Sequence, residues 1–256
     1  MNHAKAEKII MGLFPGSNVE QHVEVDTHIE EQRTFDFKNA SKPPARMEIK
    51  VKNIPKEPIR FIYWKKEPQH STWSLIPDTQ EQRQMAIKNG AMFFTWTSIS
   101  ERYNGNGGPE PHRWGDLPLD FDSPHDIKIA LTDLKALCLN HLPKFYDIDP
   151  HEINFFLSGG KGFHAVIPAR LLGAESGDPR LPQIYKRIVL KWKEALNLTS
   201  LDMCLYCMKR GRMFRIPNVR RSNGKHKVPL ALDEIMQGDA EGLIELGSHP
   251  RNVEVF

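Results

Sequence analysis

A chain of 256 residues with 39% hydrophobic and 26% charged residues can bury a core, which excludes a disordered or fibrous polypeptide. Its formal net charge of +3, from 35 Lys and Arg against 32 Asp and Glu, gives no bulk excess of positive charge, so any basic surface must arise from clustering. Three cysteines exclude a disulfide framework, no apolar run reaches the ~18 residues of a membrane span, and the first residues carry no signal-peptide pattern, so a cytoplasmic protein without a membrane partner is expected.

In chain order, Ala4 to Leu13 suits a short helix stopped by Pro15 and Gly16. Strands are expected at His22 to His28, Arg46 to Lys52 and Arg60 to Lys65, the first two by alternation. Lys65 to Asp78 reads as loop, Thr79 to Asn89 as a helix ended by Gly90, and the apolar run Ala91 to Ile99 as one strand. Ser100 to Asp116 is polar and glycine-rich, a loop. A strand at Leu117 to Asp122 leads to a helix that Ser123 caps and Pro124 opens, running to about Leu142. Strands at Ile153 to Leu157 and Phe163 to Pro168 flank a glycine turn, and Leu181 to Leu196 is an amphipathic helix. Strands at Leu201 to Cys207, Met213 to Ile216 and Lys227 to Leu232 follow, then a short acidic helix at Asp233 to Gln237. From Leu117 the order matches a ferredoxin-like or RRM-like βαββαβ layout. The expected fold is therefore α+β: an RRM-like catalytic subdomain (105–256) packed on a smaller N-terminal α/β module (1–104), with a boundary near Gly105 and a shared cleft.

Three segments carry chemistry. In Leu117-Pro-Leu-Asp-Phe-Asp122, residues i and i+2 of a strand share a face, so Asp120 and Asp122 can aim two carboxylates at one point. Paired hard oxygens suit Mg²⁺ or Mn²⁺; the bland alternative is a polar strand end. In Ser158-Gly-Gly-Lys-Gly-Phe-His164, Gly160 and Gly162 permit close approach of backbone amides to phosphate, while Ser158, Lys161 and His164 offer a hydroxyl and charge. A glycine hairpin with a solvated lysine is the alternative there. From Leu201 onward, Asp202 can complete a three-carboxylate set, and Arg212, Arg215, Arg220, Arg221, Lys225 and Lys227 form the basic cluster, which fits phosphates or is a solvated hairpin.

Taken together the motifs LPLDFD, SGGKGFH and LDMCLYCMKRGRMFRIPN resemble, in order, those of the archaeo-eukaryotic primase superfamily, over roughly Ala91 to the C-terminus. The resemblance implies a DNA-dependent primase–polymerase that joins nucleotides from NTPs or dNTPs on a single-stranded or primed DNA template. It implies Asp120, Asp122 and Asp202 as ligands of two Mg²⁺ or Mn²⁺ ions, with Ser158, Gly160, Lys161, Gly162, His164, Arg215, Lys225 and Lys227 around the incoming nucleotide. The alternatives are a gap-filling polymerase that does not prime, a non-catalytic nucleic-acid-binding subunit and a nuclease. A helicase or accessory subunit could act in trans. Structural zinc is not expected, because Cys204 and Cys207 read as a core strand away from Cys138 and His141. Of the aromatic residues, Phe94 and Trp96 read as core, and Trp64 is the better candidate for base stacking.

Overall fold

The computed structural model describes residues 58–67, 72–102, 109–207 and 211–252. The helix expected at 4–13, the strands at 22–28 and 46–52 and the boundary near Gly105 lie outside them. The architecture is α+β with two antiparallel sheets. The first sheet contains β1 (Phe61–Lys65), β2 (Ser74–Pro77), β3 (Phe93–Thr95), β4 (Ser98–Ile99), β5 (Arg113–Trp114) and β9 (Met213–Arg215). The second runs in the order β10 (Val228–Leu230), β7 (Asn154–Leu157), β8 (Gly162–Ile167), β6 (Leu117–Asp122). Both edge strands of the second sheet carry a proline, Pro118 and Pro229, as expected where a ladder donor can be spared.

The main core lies under one face of the second sheet. Leu117, Leu119 and Phe121 of β6 alternate into it, and α2 (Ile127–Leu134) packs across β6 and β8. Helix α4 (Leu181–Leu196) buries Leu181, Tyr185, Ile188, Val189 and Trp192, the i, i+4, i+7, i+8, i+11 stripe of an amphipathic helix. The alternation that sends Phe121 into the core sends Asp120 and Asp122 to the opposite face, toward the first sheet. A smaller core of Ile62, Ala86, Ala91, Phe94 and Ile216 joins the first sheet to α1 (Gln80–Lys88), whose N-cap is Thr79.

Several expected elements differ. The loop assigned to 65–78 contains β2, an edge strand paired with β1 from Phe61↔Pro77 to Trp64↔Ser74. The strand expected over 91–99 breaks at Trp96 and Thr97. Thr95 Oγ1 receives the Tyr63 N–H at 3.3 Å and donates to Thr97 O at 2.9 Å, so a side chain replaces the ladder there. The loop at 100–116 contains β5. The helix after β6 begins three residues later than expected, because Asp126, rather than Ser123, accepts the Lys128 N–H. That helix continues past Leu142 through a π-helical stretch, Lys135–His141, into α3 (Leu142–Tyr146). Pro143 lacks an N–H and would clash with the carbonyl four residues back, and the wider register before it relieves both conflicts. The strand expected at 201–207 is a single bridge, Leu201↔Phe121, followed by a 3-10 turn, Met203–Leu205. Two helices close the described chain: α5 (Leu232–Gln237) as expected, and α6 (Ala240–Leu246), which the sequence reading did not include. Among the described residues no helix is long and apolar enough to cross a membrane.

Candidate active site

Strand β6 pairs with β8 in the register Asp120↔His164 and Asp122↔Gly162, which sets one motif directly beside the other. His164 Nε2 stands 3.3 Å from Asp120 Oδ1, and Lys161 Nζ stands 3.3 Å from Asp122 Oδ2. The His164 contact has ion-pair distance without hydrogen-bond alignment, and Asp120 Oδ1 is buried without a hydrogen-bond partner. The third acid arrives through backbone pairing: the Asp202 N–H donates to Asp120 O, and the Asp122 N–H to Ser200 O, both at 2.8 Å. The Asp202 carboxylate itself accepts the Cys204 N–H at 2.8 Å, capping its own turn. Among the described residues, no three His, Cys, Asp or Glu side chains stand together as a ready metal-ligand group.

The electrostatics of the pair are opposed. Burial works against the Asp120 charge, but His164 and the Lys227 and Lys161 charges hold its carboxyl below the ordinary range. Burial and the Asp120 charge push the Asp122 carboxyl up, against the pull of Lys161. Burial and the Lys227 charge push the His164 imidazole down, outweighing Asp120, so it is neutral at pH 7. Two carboxylates that share a strand face, one with an orphaned buried oxygen and the other raised by its neighbour, are a donor set that fits a hard divalent cation. Only Oδ1 of Asp202 is engaged by Cys204, so its second carboxylate oxygen is not used by that bond.

Cationic groups surround the pair. Lys227 is 1% exposed, and burial pushes its amine down to about 7. Its Nζ lies 3.7 Å from the ring centre of Phe214 and 4.4 Å from that of Phe156. Phe214 also stacks on His164, with centroids 4.6 Å apart. Arg215 covers Phe93, its Nη1 is buried without a hydrogen-bond partner, and burial with the Arg221 charge lowers it to about 10.

The glycine turn is held closed by the chain itself. Arg221 Nη1 donates to Ser158 O at 2.9 Å and Asn223 Nδ2 to Gly159 O at 3.2 Å. Ser158 is buried, and its N–H bonds to Gly162 O. At Gly159 (φ +73°) a Cβ would come 2.3 Å from His226 O. Gly160 packs on the Arg221 guanidinium, and at Gly162 a Cβ would come 1.9 Å from Phe121 O. Close packing on backbone and arginine thus accounts for all three glycines. Gly162→Ala is expected to cost about 3 kcal/mol or more, because the obstacle is backbone, which cannot yield as a side chain could. Urea denaturation measures it, and a cost below 1 kcal/mol would refute the packing account.

The structure therefore gathers Asp120, Asp122, Lys161, His164, Arg215 and Lys227 beside the glycine turn. Lys225 is turned elsewhere, its Nζ on Ser248 Oγ at 3.2 Å. Of the cysteines, Cys138 is buried in the π-helical stretch, whereas Cys204 is exposed, since its segment is a surface turn and not the expected core strand. Phe94 is in the smaller core as expected, with Trp64 half-buried against it; Trp96 is half-buried against the main core, with its indole N–H on Leu205 O at 3.0 Å. Phe214, Phe156 and Arg221 were not singled out as site residues from sequence. Only Arg221 left a signal there, as a member of the basic cluster. Compared with models of protein families and with curated proteins, the chain matches none.

Proposed function

We propose that the chain is a DNA-dependent nucleotidyltransferase of the primase–polymerase kind, with Asp120 and Asp122 at its reaction centre. The observation that carries this reading is the in-register pairing of the carboxylate strand with the strand of His164, beside the buried Lys227 and the half-buried Arg215, whose Nη1 lacks a hydrogen-bond partner. Leaving a buried polar group without a partner costs about 1–3 kcal/mol. Asp120 Oδ1, His164 Nδ1 and Arg215 Nη1 are all such groups, and a bound nucleotide with its counter-ions would satisfy them. The Leu201↔Phe121 bridge also supports an RRM-like arrangement: with the segment of Asp202 as fourth strand beside β6, the strands of the βαββαβ run stand in the order four, one, three, two.

Asp120 and Asp122 would hold two Mg²⁺ or Mn²⁺ ions, with Asp202 as the third ligand. The chemistry such ions supply is activation of a 3′-hydroxyl and neutralisation of the departing pyrophosphate. Lys161, on the exposed side of the pair, would transfer from Asp122 to a phosphate oxygen once the carboxylate is otherwise engaged. Neutral His164 would donate a hydrogen bond to the triphosphate without adding charge, while Arg215 and Lys227 would supply the charge. Ser158 and the turn of Gly160 and Gly162 would fix the height of Lys161 relative to β6. The template would be single-stranded or primed DNA.

Synthesis on single-stranded DNA with Mg²⁺ or Mn²⁺, with and without a primer, tests this. Short products made without primer would establish priming. Extension alone would leave a gap-filling polymerase, and no synthesis under either condition would refute the enzymatic reading in favour of a nucleic-acid-binding subunit.

A further inference from the structure

Arg215 and Lys227 come from different sheets: Arg215 ends β9 in the first, and Lys227 directly precedes β10 at the edge of the second. Both are cations, so their own interaction pushes them apart. The chain between them turns at Asn218, which takes a left-handed backbone (φ +62°) and donates its N–H to Lys227 O at 2.7 Å. Asn218 Nδ2 donates to Arg251 O at 2.8 Å, and the Arg251 N–H returns to Asn218 Oδ1 at 2.9 Å, a two-bond ring like that between paired strands. The Arg251 guanidinium then reaches the edge of β10. Its Nη1 donates to Pro229 O at 3.4 Å, and its fork grips Glu234, with Nη1 on Oε2 at 3.1 Å and Nη2 on Oε1 at 2.6 Å. Glu234 Oε2 also accepts the Ala231 N–H at 2.8 Å. Burial works against the Glu234 charge, but Arg251 and that N–H hold its carboxyl below the ordinary range. Lys227, Pro229 and Ala231 alternate along one strand edge, so Asn218, Arg251 and Glu234 between them take the outward groups of all three. Earlier in the same segment, Gly247 O accepts the His226 N–H at 2.8 Å and Lys225 Nζ donates to Ser248 Oγ at 3.2 Å.

We propose that Asn218 and Arg251 are positioning residues, which tie β10 to the end of β9 and so set Lys227 against Arg215 at the phosphates of the bound nucleotide. The work of the two cations at a phosphate rests on the proposed function; the tie itself does not. The bonds of Asn218 and Arg251 go to backbone, to Glu234 and to each other, and to none of Asp120, Asp122, Lys161 or His164, so they act through the cations they place. The guanidinium suits the task because its planar fork holds Glu234 by two bonds while Nη1 also reaches Pro229 O, which the point charge of a lysine could not do.

Arg251→Met and Asn218→Gly test the tie from its two ends. Glycine keeps the left-handed backbone of Asn218 and removes only the side-chain bonds. Circular dichroism establishes that each variant is folded. In primer extension with Mn²⁺, the full chain carrying either change is expected to lose about tenfold in kcat/KM for the nucleotide. A loss from general loosening would add to that of Lys227→Met, whereas a loss that acts through Lys227 would not. Arg251→Met placed in the Lys227→Met background is therefore expected to cost less than about twofold more. Additive losses, or single variants with wild-type kcat/KM, overturn the proposal. A second readout needs no synthesis: NMR titration of the lysine ε-carbon signal that Lys227→Met removes. With the tie released, water reaches the amine, and its pKa should climb from about 7 toward the ordinary value of about 10.4. A signal unmoved in both variants overturns the proposal even where activity falls. A signal that moves in both, in a chain that makes no product under any condition, keeps the tie on Lys227 and removes the polymerase.

Discussion

Asp122→Asn is expected to reduce nucleotide incorporation by ~10³-fold or more while raising the melting temperature of the metal-free protein. The two effects have one cause. Burial and the Asp120 charge raise the Asp122 carboxyl above its ordinary range, so its ionised form is held at a disadvantage in the folded chain. A carboxyl whose folded pKa lies above its unfolded value binds more protons when folded, so its contribution to stability falls as pH rises through that interval and is missing at neutral pH. The amide removes that penalty and keeps the shape. It also removes the charge that a cation would need, so Mn²⁺ should raise the melting temperature of the wild type and leave that of Asp122→Asn nearly unmoved. Incorporation within tenfold of wild type, or an equal response to Mn²⁺, would show that the pair is not the reaction centre.

Asp120 behaves differently, although the sequence presents the two acids alike. Its carboxyl is held low by His164, Lys227 and Lys161, so Asp120→Asn should lose activity and stability together. The alternation of β6 was readable because a period of two over six residues leaves few ways to bury Leu117, Leu119 and Phe121. The stripe of α4 was readable likewise, from its helical period. The asymmetry of the acids was not, since it depends on which cations the tertiary fold brings near each. Ser123 and Asp126 are both competent caps; in the fold Ser123 Oγ accepts the Asp126 N–H and Asp126 takes the cap position by accepting the Lys128 N–H. The run from Leu201 to Cys207 reads as a strand by composition, but the Asp202 carboxylate takes the Cys204 N–H and turns the chain out of the sheet. Phe214 carries no signal in sequence: its role comes from β9 crossing to pair with β3, which sets its ring against His164 and Lys227. The glycines of the turn are visible as a motif, yet their cause is the approach of Phe121, Arg221 and His226, which lie far away along the chain.

Lys227→Met should separate stability from function most clearly. A fully buried amine is costly to charge, and burial pushes this one down to about 7, with Asp120 resisting and Arg215 reinforcing the shift. The rings of Phe156 and Phe214 return part of that cost, on the order of 0.5–2 kcal/mol. Met has similar length, fills the same space and requires no solvation, so the variant should gain roughly 1–4 kcal/mol at pH 6. The sign follows from protons. The folded pKa of Lys227 lies below its unfolded value, so between about pH 7 and the ordinary lysine range of about 10.4 the unfolded chain binds more protons, and wild-type stability rises with pH across that window. The advantage of the variant should therefore be largest below pH 7 and shrink toward zero near pH 10, measured by urea denaturation at a series of pH values. On the proposed function, in which Lys227 would supply charge to the triphosphate from a buried site, incorporation should fall by ~10²-fold. An advantage that grows with pH would mean that Lys227 is stabilised as a cation in the folded chain. An unchanged rate would mean that it is a packing residue whose charge serves no ligand.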